Sequence, residues 1–148
     1  MKLFNVLLML VLIMVMVIGC SSGGESTAND LVTGLKDEDL PIGEIMIYRA
    51  DNDPNEMLGR PNQYISKVNF EDTRVEQVVD GDLAGGSIEV FSNGEDLTTR
   101  VNYLKSVFEQ YPVFTEYLYI KGNYLLRLNA SLTPEQAEQY EVVFNKLK

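Results

Sequence analysis

The chain has no histidine, no tryptophan and a single cysteine, Cys20, among its 148 residues. These absences remove whole classes of chemistry. Without histidine there is no Ser-His or Cys-His pair to activate a nucleophile. There is no Cys/His set to close around zinc, no histidine to ligate haem, and one cysteine cannot close an intrachain disulfide. Basic residues are scarce too: 12 Lys and Arg stand against 22 Asp and Glu, a net charge of −10. Nucleic-acid binding is therefore disfavoured, because Lys and Arg must displace counterions from phosphate. So is a domain lying flat on anionic lipid, which attracts basic segments. An acidic domain favours cationic or divalent partners, although acidity also serves solubility alone. An enzyme built from this chain would have to work with carboxylates, lysines, hydroxyls and tyrosines.

What the chain does have is one long apolar run. Lys2 is followed by Leu3 to Ile18, interrupted only by Asn5. A positive start, an apolar core and a small residue before a cut form a secretory signal. The run is short for a span, which needs ~20 apolar residues. It ends in Val17-Ile18-Gly19-Cys20, which resembles the lipobox of bacterial prolipoproteins. That resemblance implies a diacylglycerol on the Cys20 thiol, with or without a further N-acyl chain, and cleavage between Gly19 and Cys20. The competing reading is an uncleaved anchor helix with an incidental cysteine. Two acyl chains hold a protein stably where one is marginal. The expected location is the cell membrane, lipid-anchored and facing outside the cytoplasm, with no cofactor besides the covalent lipid. Cleavage would leave all 22 acidic residues, and every basic residue except Lys2, in the mature chain.

The expected domain plan is 1–19 signal peptide, 20–40 lipid-attached flexible tether, and 41–148 folded domain. Ser21 to Asp30 carries one apolar side chain, Ala28, and cannot build a core. Twenty flexible residues reach roughly 25 Å, enough to clear the headgroups. Strands are expected at Glu44–Tyr48, Tyr64–Phe70 and Ser87–Phe91, from β-branched and alternating apolar residues. A hairpin is expected from Glu116 to Asn129 around Gly122-Asn123, where glycine at the first turn position suits type II′. It would pair Lys121 with Tyr124, Tyr119 with Leu126 and Tyr117 with Leu128. A helix is expected from Ser92 to about Gln110, with Ser92 and Glu95 as capping box and Leu97, Val101, Leu104 and Phe108 as stripe. A second starts at Thr133 and Pro134, with Ala137, Tyr140, Phe144 and Leu147 facing inward. The fold class is α+β: one small domain, an antiparallel sheet of about four to five strands, and two main helices packed on one face.

Three motifs carry weaker chemical readings. Asp51, Asp53 and Asn55 have the spacing of the first three ligands of a calcium loop. However, Glu56 stands where that loop needs glycine and Asn62 where it needs glutamate. A helix start with Asp53 as cap and Pro54 first explains the same residues, so no metal site is assigned. Gly85-Gly86 has no Lys-Ser/Thr pair after it and is not read as a phosphate loop. Glu89 and Glu116 could form a glycosidase carboxylate pair, but outward-facing strand positions explain them equally well. No catalytic residue is assigned.

The hairpin offers the best candidate partner site. Its pairing puts Tyr117, Tyr119, Leu126 and Leu128 on one face, and Leu118, Ile120, Leu125 and Arg127 on the other. An unpaired Arg127 in a core is costly, so the helices are expected over the first face. Leu118, Ile120, Leu125 and Arg127 would then form a partly exposed apolar patch for a protein partner. Tyr117, Tyr119 and Tyr124 could instead be interface aromatics, or simply cover the sheet. The runs Asp53 to Pro61, Gly86 to Phe91, Leu125 to Leu128 and Leu132 to Ala137 are similar to uncharacterised small secreted or lipid-anchored proteins of Gram-positive bacteria. That resemblance implies a cell-envelope protein and assigns no active residue. The function expected is a membrane-anchored, non-catalytic protein-interaction module with an envelope protein as partner. The alternatives are a regulatory or prophage-type immunity lipoprotein and a small carboxylate-dependent cell-wall hydrolase.

Overall fold

The computed structural model describes residues 26–76 and 83–147. Gly19, Cys20 and the apolar run lie outside them. Among the described residues no helix is long and apolar enough to cross a membrane. The elements run α1 (Ala28–Asp37), β1 (Ile42–Ile47), β2 (Ser66–Asp72), β3 (Gly85–Val90), α2 (Gly94–Gln110), β4 (Glu116–Lys121), β5 (Tyr124–Asn129) and α3 (Pro134–Lys146), with a 3-10 turn at Pro112–Phe114. The strands form one antiparallel sheet in the order β1-β2-β3-β5-β4. The fold is thus α+β in a single small domain.

The first helix corrects the tether. Ala28 to Asp37 was expected to be flexible, yet Thr27 caps it in a reciprocal box with Asp30, and Ala28, Leu31, Val32 and Leu35 are buried. Those four recur at the i, i+3, i+4, i+7 spacing of one helical face. The charged residues between them made the segment look too polar to pack. Asp39, at φ 62°, ends the helical run in the left-handed region. The folded part therefore begins at Thr27 and not at residue 41.

α1 and α3 lie together on one face of the sheet. Val68, Phe70, Ile88, Leu126 and Leu128 meet Leu31, Val32 and Leu35 from α1 and Ala137, Tyr140 and Phe144 from α3. Phe70 and Tyr140 stack with centroids 5.7 Å apart. The Tyr140 hydroxyl donates to Asp72 at 2.8 Å, which satisfies the ring's polar end in a dry layer. Two helices do share a face, but they are not the two legible in the sequence. α2 crosses the opposite face, where Leu97, Val101 and Leu104 pack with Leu125, Tyr64 and Phe91.

The hairpin has the expected register, with Lys121 opposite Tyr124, Tyr119 opposite Leu126 and Tyr117 opposite Leu128. Gly122 has φ 55° while Asn123 does not enter the left-handed region, as a type II′ turn requires. Thr133 caps α3 with Gln136 as its reciprocal partner. α2 starts one residue later than expected. Asn93, not Ser92, accepts from the N–H groups of Glu95 and Asp96, and the Ser92 hydroxyl donates to Asp96. No helix forms after Pro54. Residues 51–63 are a chain of turns with Glu56 and Asn62 at positive φ.

Candidate functional site

The α2 face of the sheet is chemically unlike the α1/α3 face. Strand alternation sends Lys67 and Asn69 of β2, Ser87 and Glu89 of β3, and Leu125 and Arg127 of β5 to the same side. The register sets Lys67 beside Glu89, Glu89 beside Leu125, and Ser87 beside both Asn69 and Arg127. A polar block therefore spans the three central strands, with Leu125 as its one aliphatic member.

Glu89 is its centre, and it is fully buried rather than outward in solvent as expected. Arg100 on α2 grips it with two hydrogen bonds of 2.9 Å, from Nε and Nη2. Arg127 donates to it from Nη1 at 2.8 Å and turns its Nε and Nη2 onto Glu116 at 2.7 and 2.9 Å. The result is a chain Arg100–Glu89–Arg127–Glu116 in which each guanidinium uses its planar fork. Burial pushes the Glu89 carboxyl up, but the Arg100 hydrogen bonds and the Arg127, Arg100 and Lys67 charges outweigh it, and the net shift is downward. Burial likewise opposes the charge on Arg127, and Glu89 and Glu116 overcome it. A carboxylate held down in this way is a poor general acid. Both members of the suspected hydrolase pair are bound to arginine.

Lys67 stands next to this chain and is treated differently. It is 5% exposed. Its ammonium lies over the rings of Tyr48 and Tyr64, at 4.7 and 5.2 Å from their centroids. Its nearest carboxylate oxygen, Asp53 Oδ1, is 3.9 Å away, beyond hydrogen-bond range. Burial lowers its pKa against the opposing charges of Glu89 and Asp53. Asp53 itself is occupied. It accepts from the Met57 and Leu58 N–H groups at 2.9 and 3.0 Å, from the Tyr64 hydroxyl at 2.7 Å, and from the Asn55 N–H at 3.3 Å. The capping role expected of Asp53 is real, but it closes a loop instead of starting a helix. Among the described residues no group of three or more Asp or Glu is placed to hold a metal ion.

Two adjoining hollows open over this floor. One, of about 430 Å³, is lined by Lys67, Asn69, Ser87 and Tyr48. The other, of about 840 Å³, runs under α2 past Tyr103, Val107, Val113 and Phe114. Asn55, Glu116, Arg127 and Asn129 line both, so they form one cleft. Its outer lip is apolar and solvent-facing, with Val113 85% and Phe114 60% exposed. Gly86 lets the strands close at the inner end, since a Cβ there would lie 2.5 Å from the Arg127 carbonyl oxygen. Gly85 and Gly86 are thus strand residues of close approach.

The expected patch of Leu118, Ile120, Leu125 and Arg127 is not assembled. Leu125 is fully buried under α2, Leu118 is half-buried against it, and Ile120 is half-exposed on the edge strand. Arg127 is paired, not orphaned. The reason is α2, whose stripe covers that face of the sheet. The hairpin tyrosines pack against the α1/α3 core, and the Tyr117 hydroxyl donates to the Leu132 carbonyl at 3.1 Å. They cover the sheet. Sequence reasoning missed Lys67, Arg100 and the Val113-Phe114 lip. An aliphatic-aromatic pair just after the helix stop at Pro112, with no core position to serve, was the one local signal available. No protein-family model matches the chain, and neither curated proteins nor solved structures yield a match.

Proposed function

We propose that the protein is a lipid-anchored lipoprotein at the cell membrane, facing outside the cytoplasm, and that its domain is a non-catalytic protein-interaction module whose recognition surface is the cleft under α2. The anchor rests on the lipobox resemblance at Val17-Ile18-Gly19-Cys20. The observation that supports recognition is the pairing of an exposed apolar lip, Val113 and Phe114, with a polar floor whose carboxylates are already committed to arginine. An exposed apolar group beside a concave polar surface is how a protein partner is engaged. The same commitment of Glu89 and Glu116 weighs against the hydrolase reading.

Two measurements test this. Fatty-acid labelling of the full chain should be lost in Cys20→Ser, and undiminished labelling would remove the anchor. Co-purification from solubilised membranes should recover an envelope protein with the wild type. In Val113→Ser/Phe114→Ser recovery should fall at least about tenfold, the equivalent of ~1.4 kcal/mol. Equal recovery by both would overturn the cleft as recognition surface.

A further inference from the structure

The inner end of the cleft has a feature that the fold does not need. An ammonium on a nearly buried lysine is normally met by protein acceptors, and the Lys67 Nζ is not among the fully buried atoms that lack a partner, so it faces the hollow. Among the described residues Lys67 makes no hydrogen bond, although Glu89 and Asp53 are close enough to hold its charge. The neighbouring carboxylates are already engaged by other donors. Glu89 serves Arg100 and Arg127, and Asp53 serves three N–H groups and a tyrosine. Beside Lys67, Asn69 donates its Nδ2 to the Tyr48 hydroxyl at 3.1 Å, and its Oδ1 is buried without a partner. Both side chains line the 430 Å³ hollow. A leucine or methionine at position 67 would fill the same space between Tyr48 and Tyr64 without the desolvation cost. The lysine is therefore explained better by what enters the hollow than by what surrounds it.

We infer that this hollow receives the free C-terminal carboxylate of a peptide, with Lys67 as its donor and the preceding residues lying along the cleft toward Val113 and Phe114. A single negative charge suits the site. Glu116 and Asp53 stand close by and would repel a doubly charged phosphate, while one carboxylate fits one ammonium with unmade hydrogen bonds. The middle of the cleft has Asn55 and Asn129, whose amides can both donate to and accept from peptide groups. The outer half carries the apolar side chains of Val107, Val113 and Phe114 and is large enough for a side chain. This inference rests on the cleft being the recognition surface, and names the kind of partner it takes.

The test uses the detergent-solubilised full chain and a randomised library of N-acetyl tripeptides, prepared once as free acids and once as C-terminal amides. Retained peptides are counted by mass spectrometry. Free acids should be retained at least about tenfold over amides, the size expected for one charge-assisted hydrogen bond. Lys67→Met should reduce that preference to about twofold or less, while Lys67→Arg, which keeps the charge, should preserve part of it. Val113→Ser/Phe114→Ser should lower retention of acids and amides together and leave their ratio unchanged. That arm separates failure of the cleft from failure of the carboxylate site. Equal retention of acids and amides by the wild type needs no variant to interpret and would overturn the inference. So would a preference that survives Lys67→Met. Free amino acids retained as well as the tripeptide acids would overturn the peptide assignment in favour of a small carboxylate ligand.

Discussion

The two faces of the sheet use the same three central strands and solve opposite problems. On the α1/α3 face Val68, Phe70, Ile88, Leu126 and Leu128 interlock with two helices, and buried polar atoms are few and satisfied, as in the Tyr140–Asp72 hydrogen bond. On the α2 face a fully buried glutamate, an arginine and a nearly buried lysine occupy equivalent strand positions, and the single helix above them adds Arg100. Buried ion pairs are a weak source of net stability, because desolvation offsets their attraction. Aliphatic residues at positions 67, 89 and 127 would have given this face a second dry layer. The contrast separates a face that holds the fold together from the face that we propose meets a partner.

The largest effect should come from breaking the charge chain. Glu89→Ala leaves Arg100 and Arg127 buried without their shared acceptor and should cost ~3–5 kcal/mol in denaturant melts. Replacing Glu89, Arg100 and Arg127 together by leucine or methionine should recover most of that loss, since apolar substitution of a whole buried ionic cluster is often neutral or better. A triple variant as unstable as Glu89→Ala would make the polar face a stabilising core after all.

Next come the packed leucines, one from each face. Leu126→Ala and Leu125→Ala should each cost roughly 2–5 kcal/mol, because both side chains are fully buried. The hairpin pattern alone predicts that Leu125 is cheap. A loss under about 1 kcal/mol at Leu125, set against this range, would mean that α2 does not cover it in solution.

Acid should loosen both faces. The carboxyls of Glu89 and Asp72 sit below their ordinary values of 4.5 and 3.8. For each, burial acts upward and is outweighed by arginine, by Arg100 and Arg127 at Glu89 and by Arg74 at Asp72. Their contribution is fully present above the unfolded values and is lost as pH falls through the folded ones. Denaturant midpoints should therefore drop below about pH 4.5 and hold steady above it. Glu89→Gln should flatten that drop, and an unchanged slope would show that Glu89 does not titrate with folding. The smallest effect belongs to the lip. Val113→Ser should change stability by no more than about 0.5 kcal/mol, as exposed positions do.

Much of the fold was readable in local patterns. The hairpin register followed from Gly122-Asn123 and alternation, and α3 followed from Thr133-Pro134 with its stripe, because those signals are complete within a dozen residues. α1 was hidden because only four apolar residues, Ala28, Leu31, Val32 and Leu35, mark it among polar neighbours. The site was less legible. Lys67, Glu89 and Arg127 lie on three strands separated by loops, and nothing in any one strand says that they meet. Arg127 looked costly to bury because its two carboxylates are 11 and 38 residues away. The side of the sheet that α2 would choose also depended on that meeting, since Arg100 reaches the sheet by binding Glu89.

The cleft, and not the α1/α3 side, is the surface we propose meets a partner. Phe114 on the lip and Val142 on the outside of α3 are both exposed apolar residues, which makes them matched sites for a photo-crosslinking amino acid in the full chain on living cells. The prediction is a discrete protein adduct from position 114, suppressed by Lys67→Met, and none from position 142. Adducts of equal yield from both positions, or from 142 alone, would contradict it.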